Sequence, residues 1–333
     1  MILIISNKGD IHCNPVIKHL QNSNAPYFRL NTEELITDYR ISFLKDCENR
    51  SYLQLSNLKN NKTLHSNKIT AVWDRRPITQ KAMNNDKKIE KIINDEIKEL
   101  NLWIRYFFHG TKMIGSSVFD RPNESKIRQI DVVEEIISSE ELDIKIPKTI
   151  LTNDIDSLNH FIKTKNYIVI KPIGADAYQV DDIYEIPFIS LKKSASDLRT
   201  QVSQQDLDLC PVFCQEYIEK KFELRVTSIG SKHYTCMIDS QKLPSGKGKE
   251  DWREGYQHGL KELQTVIDTP PIIEQFCNSY LKNINSNFGC FDFIIDTNDD
   301  YYFLECNPNG QWMWIEEDTG MPISKAIADF LSS

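Results

Sequence analysis

Apolar residues recur along this chain in two patterns. Short continuous runs bounded by Gly, Pro, Asn or Asp read as buried strands, and longer stretches with apolar positions three and four apart read as helices. Runs at 2–6, 27–30, 69–73, 167–171, 182–189, 211–218, 223–230, 233–238, 291–295 and 301–304 predict strands. Weaker runs at 41–44 and 52–55 suggest a hairpin. Helical spacing covers 78–108, through Ile89, Ile92, Ile93, Ile97, Leu100, Trp103, Ile104 and Phe107, which predicts a long surface helix. Further helices are predicted over 124–138, 154–165, 194–203, 271–284 and 322–331. The strand–helix–strand start, 2–30, implies a small parallel sheet with helices on its faces. The class is α/β with α+β character.

Chemistry concentrates near the C-terminus. The runs at 291–295 and 301–304 flank an Asp/Asn-rich turn and read as a β-hairpin. Asp292 sits in the first strand, and Glu305-Cys-Asn307 closes the second. Hairpin pairing can bring all three to one face, where hard oxygen ligands suit Mg²⁺ bound to substrate phosphates. The plainer alternative is that these acids face water, as Asp296 to Asp300 in the turn are expected to do.

Other residues gain weight from their positions. Lys171 ends an apolar strand just before Pro172 and a loop with Gly174, well placed to meet phosphate, although no GxxxxGK[ST] loop is present. Lys126 lies in the first turn of a predicted helix, where a cation is unfavourable for the helix dipole, and so suggests an anionic partner or mere tolerance. Glu223 and Arg225 alternate with apolar neighbours and share one strand face, which fits a surface ion pair or a nucleotide site. Arg75 and Arg76 follow a strand and can clamp an anion or pair with Asp74 and solvent. A Gly/Lys tract at 241–250 reads as a mobile loop that delivers Asp251-Trp-Arg253 at its far end.

Composition narrows the class. With 333 residues, 40% apolar and 26% charged, the chain is long enough for two or three lobes. A net charge of −8 argues against a general nucleic-acid binder. Eight cysteines form no CxxC pair and several sit within strands, which reads as reduced thiols of a cytoplasmic protein. The start lacks the basic flank of a signal peptide, and no run of ~18 apolar residues could span a membrane.

In order, Lys126, Ile-Lys171-Pro, Gln-Glu216-Tyr-Ile, Glu223-Leu-Arg225, Asp251-Trp-Arg253, Asp292 and Glu305-Cys-Asn307 resemble the motifs of ATP-grasp ligases. Within that superfamily the chain resembles the maturases of graspetides, the microviridin-type ω-ester and ω-amide ligases. That resemblance includes Arg-Arg-Pro after an N-terminal strand, Lys-x-x-Glu-Leu-Arg-x-Thr, Asp-Trp-Arg and the overall length.

The resemblance implies an N-terminal pre-ATP-grasp lobe (1–120), a central lobe (121–220) and a C-terminal lobe (221–333) enclosing ATP. The cofactors would be ATP and Mg²⁺. Lys126 and Lys171 would touch phosphates. Gln215, Glu216, Tyr217 and Ile218 would form the adenine hinge, and Glu223 would hold ribose. Arg225 and Arg253, with Lys171, would be catalytic, facing the γ-phosphate and the acyl phosphate made from it. Asp292, Glu305 and Asn307 would hold magnesium. The partner would be a ribosomal precursor peptide, its leader near 176–206 and its core Glu or Asp side chains at Arg225 and Arg253, and the protein would be a homodimer. One departure is the loop after Lys171, 174–178, which the resemblance would have cover phosphate and which has only Gly174 where such loops are richer in glycine. Two alternatives share the nucleotide residues: a RimK-like ligase adding free amino acids, and a non-catalytic binder of nucleotide or peptide.

Overall fold

The first strand, Ile2–Ser6, is buried along its whole length and runs parallel to both neighbours, Tyr27–Asn31 and Ala71–Asp74. Lys112–Gly115 extends this parallel sheet beyond Ala71–Asp74. The computed structural model describes residues 1–48, 50–115, 121–174, 177–179, 185–187 and 190–333. A parallel sheet needs apolar cover on both faces, and this one has it. One face packs on helices Cys13–Asn22 and Ile323–Ser332. The other takes helix Lys87–Phe107 and the three-stranded sheet of Tyr39–Lys45, Ser51–Asn57 and Thr63–His65.

The long helix begins at Lys87, nine residues later than its spacing suggests (87 − 78 = 9), because Asp86 caps it. The Asp86 carboxylate accepts from the amides of Lys88 and Ile89. Its far end, through Leu100, Trp103, Ile104 and Phe107, packs on the sheet, while Ile89 and Ile92 stay exposed.

A six-stranded sheet forms the other large unit, in the order Gln264–Ile267, Lys232–Ile238, Lys220–Ile229, Phe288–Asp296, Tyr301–Asn307, Ile144–Lys145. All pairs are antiparallel except the last. One face buries Phe291, Phe293 and Phe303 against Phe276 and Tyr280 of helix Pro271–Asn283, and against helix Lys126–Glu140. Part of the opposite face, with Ile229, Cys236 and Cys290, joins the apolar cluster of the N-terminal sheet around Trp312. The first and last thirds of the chain therefore share one core.

A smaller antiparallel sheet, Leu191–Ser194, Tyr167–Lys171, Val212–Glu216 and Thr149–Thr152, makes the central unit. Helices Ile155–Ile162 and Ala195–Gln201 cover one of its faces. The single helix expected over 194–203 is two, because Ser203 and Asp206 form a capping box that starts Gln204–Leu209. Of the strand expected over 182–189, only Glu185–Pro187 lies within the described residues, paired with Ala177–Gln179. Residues 175 and 176 of the loop expected to cover phosphate lie outside them. No helix among the described residues is long and apolar enough to cross a membrane, and the eight cysteines of the sequence are unpaired.

Candidate active site

Strand register assembles the centre of the site. Arg225 lies opposite Asp292 on the neighbouring strand, and Asp292 lies opposite Glu305 on the next. Three charged residues from three strands thus form one row. Cys290 faces Asn307 a step along. The residues between them, Leu224, Val226, Phe291, Phe293 and Cys306, point to the opposite face and are buried there. This two-residue alternation fixes which side chains reach the site, since a slip of one residue would bury the charges among the phenylalanines.

Arg225 is buried, and its Nη1 donates to Asp292 Oδ2 at 2.8 Å while Nη2 donates to the carbonyl of Gln311 at 2.9 Å. Burial pushes the Asp292 carboxyl up to about 6, against the opposing pull of the Arg225 guanidinium, and the nearby Glu305 carboxylate adds to the rise. A divalent cation placed here would reverse that balance.

Lys171 arrives from the central sheet. Burial lowers its pKa, Glu305 and Asp292 raise it, and Lys126 and Arg253 lower it. Groups from four separate segments therefore act on one ammonium. Arg253 is held by Asp251 through two bonds, Nε to Oδ1 at 2.8 Å and Nη2 to Oδ2 at 2.5 Å. Its side chain is half-exposed while Asp251 is buried, so the guanidinium is anchored at its rear. Lys126 is the first residue of helix Lys126–Glu140 and is half-buried.

The expected hinge, 215–218, leaves the strand Val212–Glu216. Gln215 is buried and donates to Thr149 Oγ1 at 3.0 Å. The Glu216 amide donates to the Lys148 carbonyl, and its carboxylate accepts from the Lys148 amide at 2.8 Å. Tyr217 lies edge-on to Tyr167, with Lys192 Nζ 3.7 Å from its ring centroid. Ile218 is half-buried beside them. Glu223 is more engaged than a ribose ligand needs to be: its Oε1 accepts from Lys220 Nζ at 2.8 Å and from Ser240 Oγ at 2.7 Å.

The donor set at Asp292, Glu305 and Asn307 is two carboxylates and an amide oxygen, all hard. Among the described residues no three His, Cys, Asp or Glu cluster as a self-sufficient cage. Mg²⁺ takes one or two protein carboxylates and fills its shell with water and phosphate oxygens, a demand this set of hard donors fits.

Two further residues hold this arrangement: Gln129, which the sequence did not single out, and Lys220, the lysine of the Lys-x-x-Glu-Leu-Arg segment. Gln129, buried one turn beyond Lys126, donates from Nε2 to the Cys306 carbonyl at 2.8 Å and accepts the Cys306 amide at 2.9 Å. It therefore clamps the backbone between Glu305 and Asn307. A polar residue on the same face as Val132, Val133 and Ile136 was the available signal. Lys220 also donates to the Glu250 carbonyl at 2.9 Å, tying the 241–250 loop to Glu223. Arg75 is no exposed anion clamp: it is buried against the backbone of Asn309 and Gly310, and Asp74 pairs with Arg105 instead. Asp296 is not a solvent-facing turn acid. It is buried and accepts from the amides of Asn298 and Asp300.

Residues 1–115 match the family described as the MvdD pre-ATP grasp domain. A search of curated proteins finds no match. Among solved structures, the chain is similar to a RiPP-associated ATP-grasp ligase of Chryseobacterium gregarium in complex with ADP and a leader and core peptide. Identity is 26% over 99% of this chain and 96% of that one, with a TM-score of 0.85. The macrocyclase MdnC of Microcystis aeruginosa, bound with precursor peptide MdnA, aligns at 23% identity over 99% and 98% of the two chains, with a TM-score of 0.79. The ATP-grasp ligase PsnB, complexed with a phosphomimetic variant of a minimal precursor, Mg and ADP, aligns at 16% identity over 99% and 97%, with a TM-score of 0.73. The likeness runs the length of the chain, and its fold is the ATP-grasp fold with a pre-ATP-grasp lobe.

Proposed function

We propose that this ATP-grasp ligase is a peptide macrocyclase, which phosphorylates Glu or Asp side chains of a ribosomal precursor peptide and joins them to Ser or Thr hydroxyls or Lys amines. The observation that carries the reading is the row of Arg225, Asp292 and Glu305, with the charges of Lys171, Lys126 and Arg253 converging on it. That three similar structures hold leader, core or precursor peptides supports a peptide as the substrate.

A carboxylate is a poor electrophile until it carries a leaving group. Its oxygen attacks the γ-phosphorus of ATP, the bond to the ADP oxygen breaks, and an acyl phosphate forms. Such transfer needs positioning and charge neutralisation more than covalent help. Lys126 and Lys171 face the phosphates, and residues 215–218 and Glu223 seat the nucleoside. Arg225 and Arg253 take the acidic side chain and the transferred group, the first fixed by Asp292 and the second by Asp251. A hydroxyl or amine then attacks the acyl carbon, the bond to phosphate breaks, and the nucleophile's proton leaves to solvent. Asp292, Glu305 and Asn307 would hold magnesium, which supplies charge neutralisation across the phosphates.

The leader would bind near 176–206, of which the strand Leu191–Ser194 and helix Ala195–Gln201 offer an edge and a face. The exposed end of helix Lys87–Phe107, with Ile89 and Ile92, is the surface for a homodimer, and the compartment is the cytoplasm. The test is peptide-dependent release of ADP. Purified protein with Mg²⁺ and ATP should release ADP when given a precursor rich in Glu and Thr, and little without it. ADP release driven instead by free glutamate would replace this reading with the RimK-like one.

A further inference from the structure

Arg75 belongs to the pre-ATP-grasp lobe, yet its guanidinium ends on the segment that follows the candidate metal residues. The side chain is 1% exposed. Its Nη1 donates to the carbonyls of Asn309 and Gly310, and its Nε stands 3.7 Å from Asp10 Oδ2, itself buried. Asp10 is fixed in turn by Ser6 Oγ at 2.7 Å and by the His12 amide. The receiving segment is tight on every side. Asn309 donates its amide to Asn307 Oδ1 at 2.9 Å. A Cβ on Gly310 would lie 2.3 Å from Cys290 Cβ, and one on Gly115 would lie 3.0 Å from Asn309 Oδ1. The segment is closely packed, and Arg75 reaches it from the first lobe with hydrogen bonds to two of its carbonyls.

We propose that Arg75 is a positioning residue for the magnesium site: through the Asn309 and Gly310 carbonyls it sets the place of Asn307, and so couples the N-terminal lobe to metal-assisted nucleotide binding. This rests on the reading of Asp292, Glu305 and Asn307 as magnesium ligands. Residues that orient metal ligands from behind change affinity by about 10–100-fold when lost. A lysine keeps the charge, but its single ammonium cannot both meet the two carbonyls, as Nη1 does, and face Asp10, as Nε does.

The test is calorimetric ADP binding with and without Mg²⁺, which needs no turnover. In the wild type, Mg²⁺ tightens ADP binding. In Arg75→Met that gain falls about tenfold and in Arg75→Lys by less, while the affinity without Mg²⁺ stays within about twofold. Val72→Ala, a cavity in the same strand away from the segment, lowers the melting temperature and leaves the gain intact. A full Mg²⁺ gain in Arg75→Met, or an equal loss in Val72→Ala, overturns the proposal and leaves the site reading standing. No Mg²⁺ gain in the wild type overturns the site reading itself, and this inference with it.

Discussion

Arg253 shows what a single side chain contributes: among the described residues its guanidinium bonds to Asp251, and it stands apart in sequence from residues 215–218 and Glu223, the proposed nucleoside seat. Arg253→Ala should therefore abolish ligation, by about 10²–10³-fold or more, while ADP affinity changes little. Glu305→Ala should instead lose metal-dependent turnover. Measuring ADP affinity beside peptide conversion in both variants checks the division of labour, and either variant ligating at the normal rate contradicts it. The charged residues were legible in the sequence because each stands out against an apolar strand or follows a strand end. Gln129 was not, since its worth lies in the Cys306 backbone, 177 residues away. Arg75 was misread for the same reason: a run of two arginines shows charge, and only the fold shows which carbonyls it meets.

Among the elements, the hairpin was the most legible. Asp/Asn turn chemistry between two apolar runs sets the register, and register alone puts Asp292 beside Glu305. The turn itself is tighter than its composition suggests, with Asp299 in the left-handed region at φ 67° and the buried Asp296 closing it. The glycines and lysines of the 241–250 loop read as mobile, and the fold adds anchors that composition does not show: Ser245 and Gly246 bond to the Glu250 carboxylate and Lys220 holds the Glu250 carbonyl. Lys220→Met should release this anchor and leave the Glu223 carboxylate with Ser240 as its remaining partner. Trypsin should then cut at Lys247 and Lys249 several times faster than in the wild type, and ADP should bind more weakly. Unchanged cleavage would show that the loop does not depend on Lys220. Element ends were the least legible part, as at Asp86 and Ser203, where a cap overrules apolar spacing.

At the scale of the whole molecule, apolar patterning identified the strands but not their partners. It could not show that Trp312 and helix Ile323–Ser332 pack on the first sheet, making the N- and C-terminal thirds one core. His12 sits at that junction with its ring 5.0 Å from Trp312. Burial and the Arg75 charge push its pKa down from 6.5 to about 4, against the pull of Asp10. The folded protein thus keeps His12 neutral while the unfolded chain protonates below 6.5. Its contribution is fully present above pH 6.5 and is lost as pH falls toward 4, about 3 kcal/mol in all. Asp292, raised to about 6 by burial, has a slope of opposite sign in the same range. Urea unfolding at pH 7.5 and pH 5 should therefore be compared between wild type and His12→Gln. The wild type should lose more stability than the variant on acidification, and parallel losses would contradict the burial argument.

The central claim is that one site activates a peptide carboxylate and closes a ring with a nucleophile from the same peptide. The most direct measurement is the intact mass of a precursor peptide incubated with the protein, ATP and Mg²⁺. Each linkage should remove one water and release one ADP, the product should keep its new bonds under denaturing conditions, and Arg253→Ala should leave the mass unchanged. A peptide that gains the mass of an added amino acid, or that keeps its mass while ATP is consumed, would contradict the account.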